Sequence, residues 1–432
     1  MTSPRTLRSL LCQYAKRDQY RLITMIGLCH RRRSFLYLFM SGFVINPRRQ
    51  AHPTWDPEID RPFRDDDILA FHSSFSEYRP TPLHVLPELA RRLNVGGLVV
   101  KDESFRFGLN AFKVLGASYA VYRFLQEAWE ESGRSPFAVA DWLRGQVLAP
   151  GAYTFCTATD GNHGRAVAWI ARRLCQAAVI YMPENSAPAR VRNIRAEGAE
   201  VVIVNGTYDD TVRKAQTDAA RNGWQIIADT AYADYLTVPK YIMAGYLTIF
   251  REIEKQLHAI DAPPIDQVFV QAGVGSLAAA AAWYYAQERK GKRPALAAVE
   301  PQGADCLLAS AARGEVTTVV GQEHSIMAGL DCGTPSLLAW PLVRDGIDLF
   351  LAISDDYAIE AMRRYYYPLG NDPQIISGES GAAGLAGLLA LLSDPGLSEA
   401  KRYLGIGPKS WVLLLNTEGA TDPDHFAVVV RN

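Results

Sequence analysis

Residues 153–181 read YTFCTATDGNHGRAVAWIARRLCQAAVIY, and the reading of this stretch decides the fold. It opens on a short strand-forming run, 153–156. Small polar residues and two glycines follow at 157–164, where a regular element gives way to a loop. Apolar positions at helical spacing occupy 165–174, and a second β-rich run follows at 178–181. A strand, a loop, a helix and another strand, in that order, make the unit of a parallel sheet, because parallel neighbours need a crossover.

The same alternation runs outward in both directions. Further strands are expected at 97–100, 201–204, 225–227, 267–270, 296–299, 349–351 and 412–415, and further helices at 187–197 and 210–221. Continuous apolar strands alternating with amphipathic helices indicate an α/β fold with mostly parallel sheets covered on both faces. The chain of 432 residues, 48% hydrophobic and 21% charged, is long enough for two or three domains with a large core. Its net charge of -1 points to no nucleic acid. Six cysteines without a C-x-x-C pair form neither a zinc site nor a disulfide framework.

Residues 1–54 differ from the remainder. Nine arginines (Arg5, Arg8, Arg17, Arg21, Arg31, Arg32, Arg33, Arg48 and Arg49) stand in the first fifty residues against one acid, Asp18. The apolar run ending near Ile45 is too short to span a bilayer. The segment reads either as a dispensable leader or as an organelle transit peptide, so the compartment is expected to be cytoplasmic or, in the second case, mitochondrial. The fold is expected to begin near Trp55.

In such folds ligands bind beyond the carboxyl ends of strands, and three loops lie there. The loop 157–164 contains Asp160, Gly161, Asn162 and His163 at a helix start; its plainer reading is that Asp160 caps the helix. The loop Gln271-Ala272-Gly273-Val274-Gly275-Ser276 offers small residues and a hydroxyl, a cradle for one phosphate. It is not a dinucleotide fingerprint, since Ala278 stands where a third glycine belongs and Glu300 lies beyond the ribose distance. The loop after the last strand carries Thr417, whose plainer role is to cap its own turn.

Lys113 completes the set. It sits in NAFKVLG, residues 110–116, among Phe112, Val114 and Leu115. A lysine there usually snorkels to solvent. In a desolvated pocket it would instead lose proton affinity and become a nucleophile. An aldehyde cofactor with one phosphate and a pyridine nitrogen would use all four elements, and pyridoxal 5'-phosphate (PLP) is that cofactor. Lys113 would form the imine. Gly273, Val274, Gly275 and Ser276 would hold the phosphate, Asn162 the ring oxygen, and Thr417 the ring nitrogen.

In that order the elements resemble the fold type II (tryptophan synthase β-like) PLP enzymes. The closer similarity is to the diaminopropionate ammonia-lyases, carried by YRPTPL (78–83), VKDES and RFGLNAFK (100–113), ATDGNHGRAVAW (158–169), QAGVG (271–275), GNDPQIISGESGAAGL (370–385) and TEG (417–419). The resemblance implies a large domain of 55–120 and 236–432, a small domain of 121–235, PLP in the cleft between them, and a homodimer. It implies α,β-elimination of 2,3-diaminopropionate to pyruvate and ammonia, with Asp160 serving the D-isomer and Asp229 the L-isomer. No membrane partner and no metal is implied. Two alternatives stay open: another PLP-dependent eliminase acting on serine or threonine, and a non-catalytic ligand-binding protein on the same fold. After Asp229 the chain reads AYADYLTVPKY, where the family carries a tryptophan-containing version, so Tyr232 and Lys240 are departures. Glu379 is expected to orient loops near the ring.

Overall fold

The computed structural model describes residues 42–135, 137–145, 147–289, 291–319 and 325–431. The reading of an arginine-rich leader falls mainly on residues 1–41, outside the described residues.

The strands are β1 (Gly42–Ile45), β2 (Leu83–Val85), β3 (Gly97–Asp102), β4 (Thr154–Ala158), β5 (Ala177–Pro183), β6 (Glu200–Val204), β7 (Gln225–Ile226), β8 (Gln267–Gln271), β9 (Ala295–Pro301), β10 (Leu349–Ile353) and β11 (Trp411–Asn416). The helices around the cleft are α1 (Lys113–Glu131), α2 (Asn162–Arg173), α3 (Pro188–Ala196), α4 (Tyr208–Asn222), α5 (Thr237–Gly245), α6 (Ser276–Trp283) and α7 (Ala383–Ser393). Among the described residues the strands form two sheets, a seven-stranded one in the order β1-β10-β9-β8-β11-β3-β2 and a four-stranded one in the order β6-β5-β4-β7.

Every expected strand is present. Two strands were not expected, and both are antiparallel edges of the large sheet: β1 on β10 and β2 on β3. β1 also corrects the expected start of the fold near Trp55, since Gly42–Ile45 already belongs to the large sheet. Asn46 is tied down too, its amide donating to Arg344 O (2.7 Å) and Ile347 O (2.6 Å). A four-residue run beside arginines carries no periodicity of its own, so only the pairing with β10 reveals it.

The interior strands explain the architecture. Along β11, Leu413 and Leu415 face one core, with Val268 and Val270 of β8; Val412 and Leu414 face another, with Phe269, Leu385 and Leu388. A strand buried on both faces needs apolar side chains at every position, and β3, β8 and β10 are buried throughout. The small sheet packs a third apolar cluster under α4, with Cys156, Val179, Tyr181, Ala215 and Ala219. Because the interior pairs are parallel, β3, β8 and β11 end on one side of the large sheet, and β4 and β7 end together in the small one.

Two glycines fix where α1 lies. A Cβ on Gly116 would meet Ile242 Cγ2 at 2.7 Å, and one on Gly245 would meet Leu115 O at 2.5 Å. Only glycine lets α1 and α5 cross this closely, and the crossing seats the first turn of α1, where Lys113 stands.

Candidate active site

Lys113 is the first residue of α1. The turn before it is held to the loop after β11: Phe112 N–H donates to Thr417 O (3.2 Å), and Gly419 N–H donates to Asn110 O (2.9 Å). Its ammonium therefore starts from a backbone fixed against the last strand of the large sheet. Nζ lies 2.5 Å from Asp229 Oδ2, with the two side chains 20% and 16% exposed.

This pair overturns the expectation that Lys113 is poor in protons. Burial does act against the ammonium, but the Asp229 carboxylate outweighs it and holds the Lys113 proton above the ordinary lysine range. For Asp229, burial opposes the charge and the Lys113 ammonium more than compensates, so its carboxyl stays ionised well below the usual range. A desolvated amine loses its proton only when no carboxylate comes with it.

His163 stands beside them. Its Nε2 lies 2.7 Å from Ile227 O. A carbonyl only accepts, so Nε2 carries the proton and Nδ1 presents a lone pair. Nδ1 is buried without a hydrogen-bond partner, 3.9 Å from Asp229 Oδ2. Burial keeps the imidazole neutral by lowering its proton affinity.

The Asp160 loop differs from its plainer reading. Gly161 is the N-cap of α2, with no side-chain cap. Thr159 Oγ1 instead accepts from Gly161 N (3.0 Å) and Gly164 N (3.1 Å). Asp160 thus has no capping duty, and it lines the cavity. Asn162 donates from Nδ2 to Glu418 Oε2. Burial pushes the Glu418 carboxyl up, against Arg190 and Asn162.

These loops enclose one cavity of about 520 Å³, lined by Lys113, Asp160, Asn162, His163, Asp229, Gly273, Val274, Gly275, Ser276 and Thr417 among others. All the residues singled out in the sequence as catalytic or cofactor-binding meet there. Thr417 is buried, and its Oγ1 accepts from Gln271 Nε2 (3.4 Å). Ser276 Oγ donates to Asp229 O (2.9 Å), joining the glycine loop to the Asp229 segment. Gly275 takes φ 98° immediately before α6, and a Cβ on Gly273 would meet Cys332 Sγ at 3.0 Å. Burial pushes the Cys332 thiol up to about 12, with the Asp160 and Asp229 carboxylates adding to the effect.

Other readings change. Glu300 is a structural cap, accepting from Leu307 N and Leu308 N at 2.8 Å each. Glu379 meets His425 Nδ1 at 2.5 Å. Lys240 Nζ lies over the Tyr241 ring at 5.0 Å, whereas Tyr232 lines the cavity. Sequence reasoning missed Glu418, Tyr246 and Cys332. Glu418 was in plain view in TEG, but nothing local marks it as a partner of Asn162. Tyr246 packs on Phe112, ring centroids 4.8 Å apart, with its hydroxyl buried and unpartnered.

The residues present fit PLP. A lysine and a glycine cradle at a helix start line a single cavity, a buried hydroxyl stands at the end of β11, and buried polar atoms on His163 and Tyr246 have no partner. Among the described residues no cluster of His, Cys, Asp and Glu could hold a metal ion, and no helix is long and apolar enough to cross a membrane.

Comparison with known proteins agrees. The model of the family described as "Pyridoxal-phosphate dependent enzyme" matches residues 75–407. A diaminopropionate ammonia-lyase from Salmonella typhimurium is 40% identical over 370 residues, covering 85% of this chain and 91% of that protein. The crystal structure of the holo diaminopropionate ammonia-lyase from Escherichia coli superposes with a TM-score of 0.82 at 37% identity, covering 91% of this chain and 97% of that one. The same enzyme in complex with an aminoacrylate-PLP azomethine reaction intermediate superposes with a TM-score of 0.80, at the same identity and coverage.

Proposed function

The chain belongs to the pyridoxal-phosphate dependent enzyme family, fold type II, and within it to the diaminopropionate ammonia-lyases; from that premise we propose that it eliminates ammonia from 2,3-diaminopropionate, D and L, to give pyruvate and ammonia. The observation that carries this reading is the single cavity, in which Lys113 and two carboxylates, Asp160 and Asp229, share the lining with the glycine cradle.

When bound, the cofactor supplies the electron sink that makes the substrate's α-proton removable. The protein's part is placement and proton handling. Gly273, Val274, Gly275 and Ser276 would hold its phosphate with backbone N–H groups at the start of α6. Thr417 would meet the ring nitrogen with a neutral hydroxyl, a partner suited to loss of a β-group. Asn162, steadied by Glu418, would meet the ring oxygen. Lys113 would tether the cofactor and, when not so engaged, would carry protons.

Asp160 takes the α-proton of the D-isomer and Asp229 that of the L-isomer, which need bases on opposite sides of one substrate plane. Asp160, a carboxyl lining the same cavity, also suits an ammonium group on the β-carbon. Burial keeps water away while the β-amine departs. By analogy with its fold class the enzyme works as a homodimer, with residues 121–235 as the small domain over the cleft.

Pyruvate and ammonia release from each enantiomer of 2,3-diaminopropionate, measured against D- and L-serine, tests the reading. Release from serine alone would replace it with a dehydratase, and release from none would leave a binding protein. The complex of the Escherichia coli enzyme with D-serine makes serine the informative competitor.

A further inference from the structure

Asp229 follows a strand too short to hold it. β7 lies at the edge of the small sheet, paired with β4 through Gln225 and Ile226. Ile227 N–H extends the ladder by one bond, to Cys156 O at 2.8 Å. Side chains take over beyond that point. Ser276 Oγ donates to Asp229 O, and Ala231 N–H donates to Ser336 Oγ (3.0 Å).

A third side chain, that of Tyr235, grips this segment at its root. Tyr232 and Tyr235 face each other across a tight turn, Tyr235 N–H donating to Tyr232 O (2.9 Å), with rings stacked 5.1 Å apart at 20°. The turn sends the Tyr235 hydroxyl back to the end of β7. There it donates to Ile226 O (2.9 Å) and accepts from Ala228 N–H (2.9 Å). A single hydroxyl can do both at once, and burial keeps it protonated. It brackets Ile227, whose own carbonyl receives His163 Nε2. The backbone is therefore pinned on both sides of the residue two places before Asp229.

We propose that Tyr235 is a positioning residue: its hydroxyl sets the Asp229 carboxylate against Lys113, and through it the L-isomer half of the reaction. The kinetic half of this proposal rests on the assignment of Asp229 to the L-isomer; the geometric half does not.

The Lys113 ammonium is faced by Asp229, Tyr246 and Cys332, and Asp229 by Lys113 and His163. Tyr235→Phe leaves all of these in place and keeps the ring on Tyr232, so a change in the titration of Lys113 reads displacement of Asp229. In the cofactor-free protein, pH-dependent reductive methylation of Lys113, followed by peptide mass spectrometry, should show its half-point lowered by about one pKa unit in the variant. Hydrogen exchange in a peptide containing Ala228 should quicken while β4 and β5 keep their protection. With PLP loaded, kcat for the L-isomer should fall by about tenfold to a hundredfold, as for a misplaced base, with KM little changed and the D-isomer within about twofold.

An unchanged Lys113 half-point overturns the proposal, as does equal loss for both isomers. Rapid exchange of the Ala228 amide in the unsubstituted protein overturns it without any variant. If the unsubstituted enzyme turns over neither enantiomer, the functional reading fails, while methylation and exchange still decide the positioning.

Discussion

Replacing Asp229 with asparagine removes the carboxylate 2.5 Å from Lys113 Nζ and leaves a neutral side chain of nearly the same shape. Two unit charges at that distance attract by about 6–7 kcal/mol at an effective dielectric of about 20. Both side chains are largely buried, and desolvation reduces the net worth of such a pair, so breaking it costs about 3–5 kcal/mol. At about 1.4 kcal/mol per unit, that is a fall of roughly 2–4 units in the Lys113 pKa. Burial, no longer opposed by that carboxylate, then acts alone to lower the amine's proton affinity.

The sign extends to stability. Lys113 is raised, so its contribution is complete below the ordinary lysine pKa and is lost as pH climbs through the folded value. Asp229 is depressed, so its contribution is complete above the ordinary aspartate pKa and is lost as pH falls through the folded value. The stability gap between the parent and Asp229→Asn should therefore be widest between about pH 4 and pH 10 and should narrow outside that window. Reductive methylation of cofactor-free protein across pH, with Lys113 followed by peptide mass spectrometry, measures the amine directly. A half-point for Asp229→Asn within about half a unit of the parent would refute the claim that this carboxylate sets the lysine's proton affinity.

Asp160→Asn should reduce turnover of the D-isomer by about 10²-fold or more, with the L-isomer little affected, when initial rates are compared for the two enantiomers; equal losses would contradict the division of labour. Gly275→Ala places a side chain where φ is 98° and where a Cβ would meet Ala339 and Leu307 at 3.3 Å, so PLP affinity by equilibrium titration should weaken about tenfold or more while the fold persists. His72 is fully buried, bonded to Thr248 Oγ1 (2.7 Å) and Leu115 O (3.0 Å), and burial lowers its pKa from 6.5 to about 3. The unfolded chain takes up that proton first, so stability should fall by about 1.4 kcal/mol per pH unit as pH drops from 6.5 toward 3. Denaturant titrations across that range should show His72→Gln flattening the slope.

The parts legible in the sequence were those in which neighbours along the chain carry the signal. β3, β8, β10 and β11 are continuous apolar runs because each is buried on both faces, and such runs stand out without any partner. β1 and β2 do not stand out, because an edge strand is half-exposed, short, and defined by the strand it pairs with. Site residues followed the same rule. Lys113, the Asp160–His163 loop and the glycine loop lie in distinctive local settings. Glu418 and Tyr235 act on residues far away or across a turn, and their own surroundings in sequence are ordinary.

By itself, the order of residues determined that strands and helices alternate, that the sheets are mostly parallel, and that the loops after β4, β8 and β11 open toward ligand. It also singled out a lysine that a phosphate-bearing aldehyde could reach. The tertiary structure alone decided the charge on that lysine. Desolvation and a carboxylate pull its proton affinity in opposite directions, and the winner depends on a 2.5 Å contact between residues 116 positions apart, a distance that no local pattern encodes.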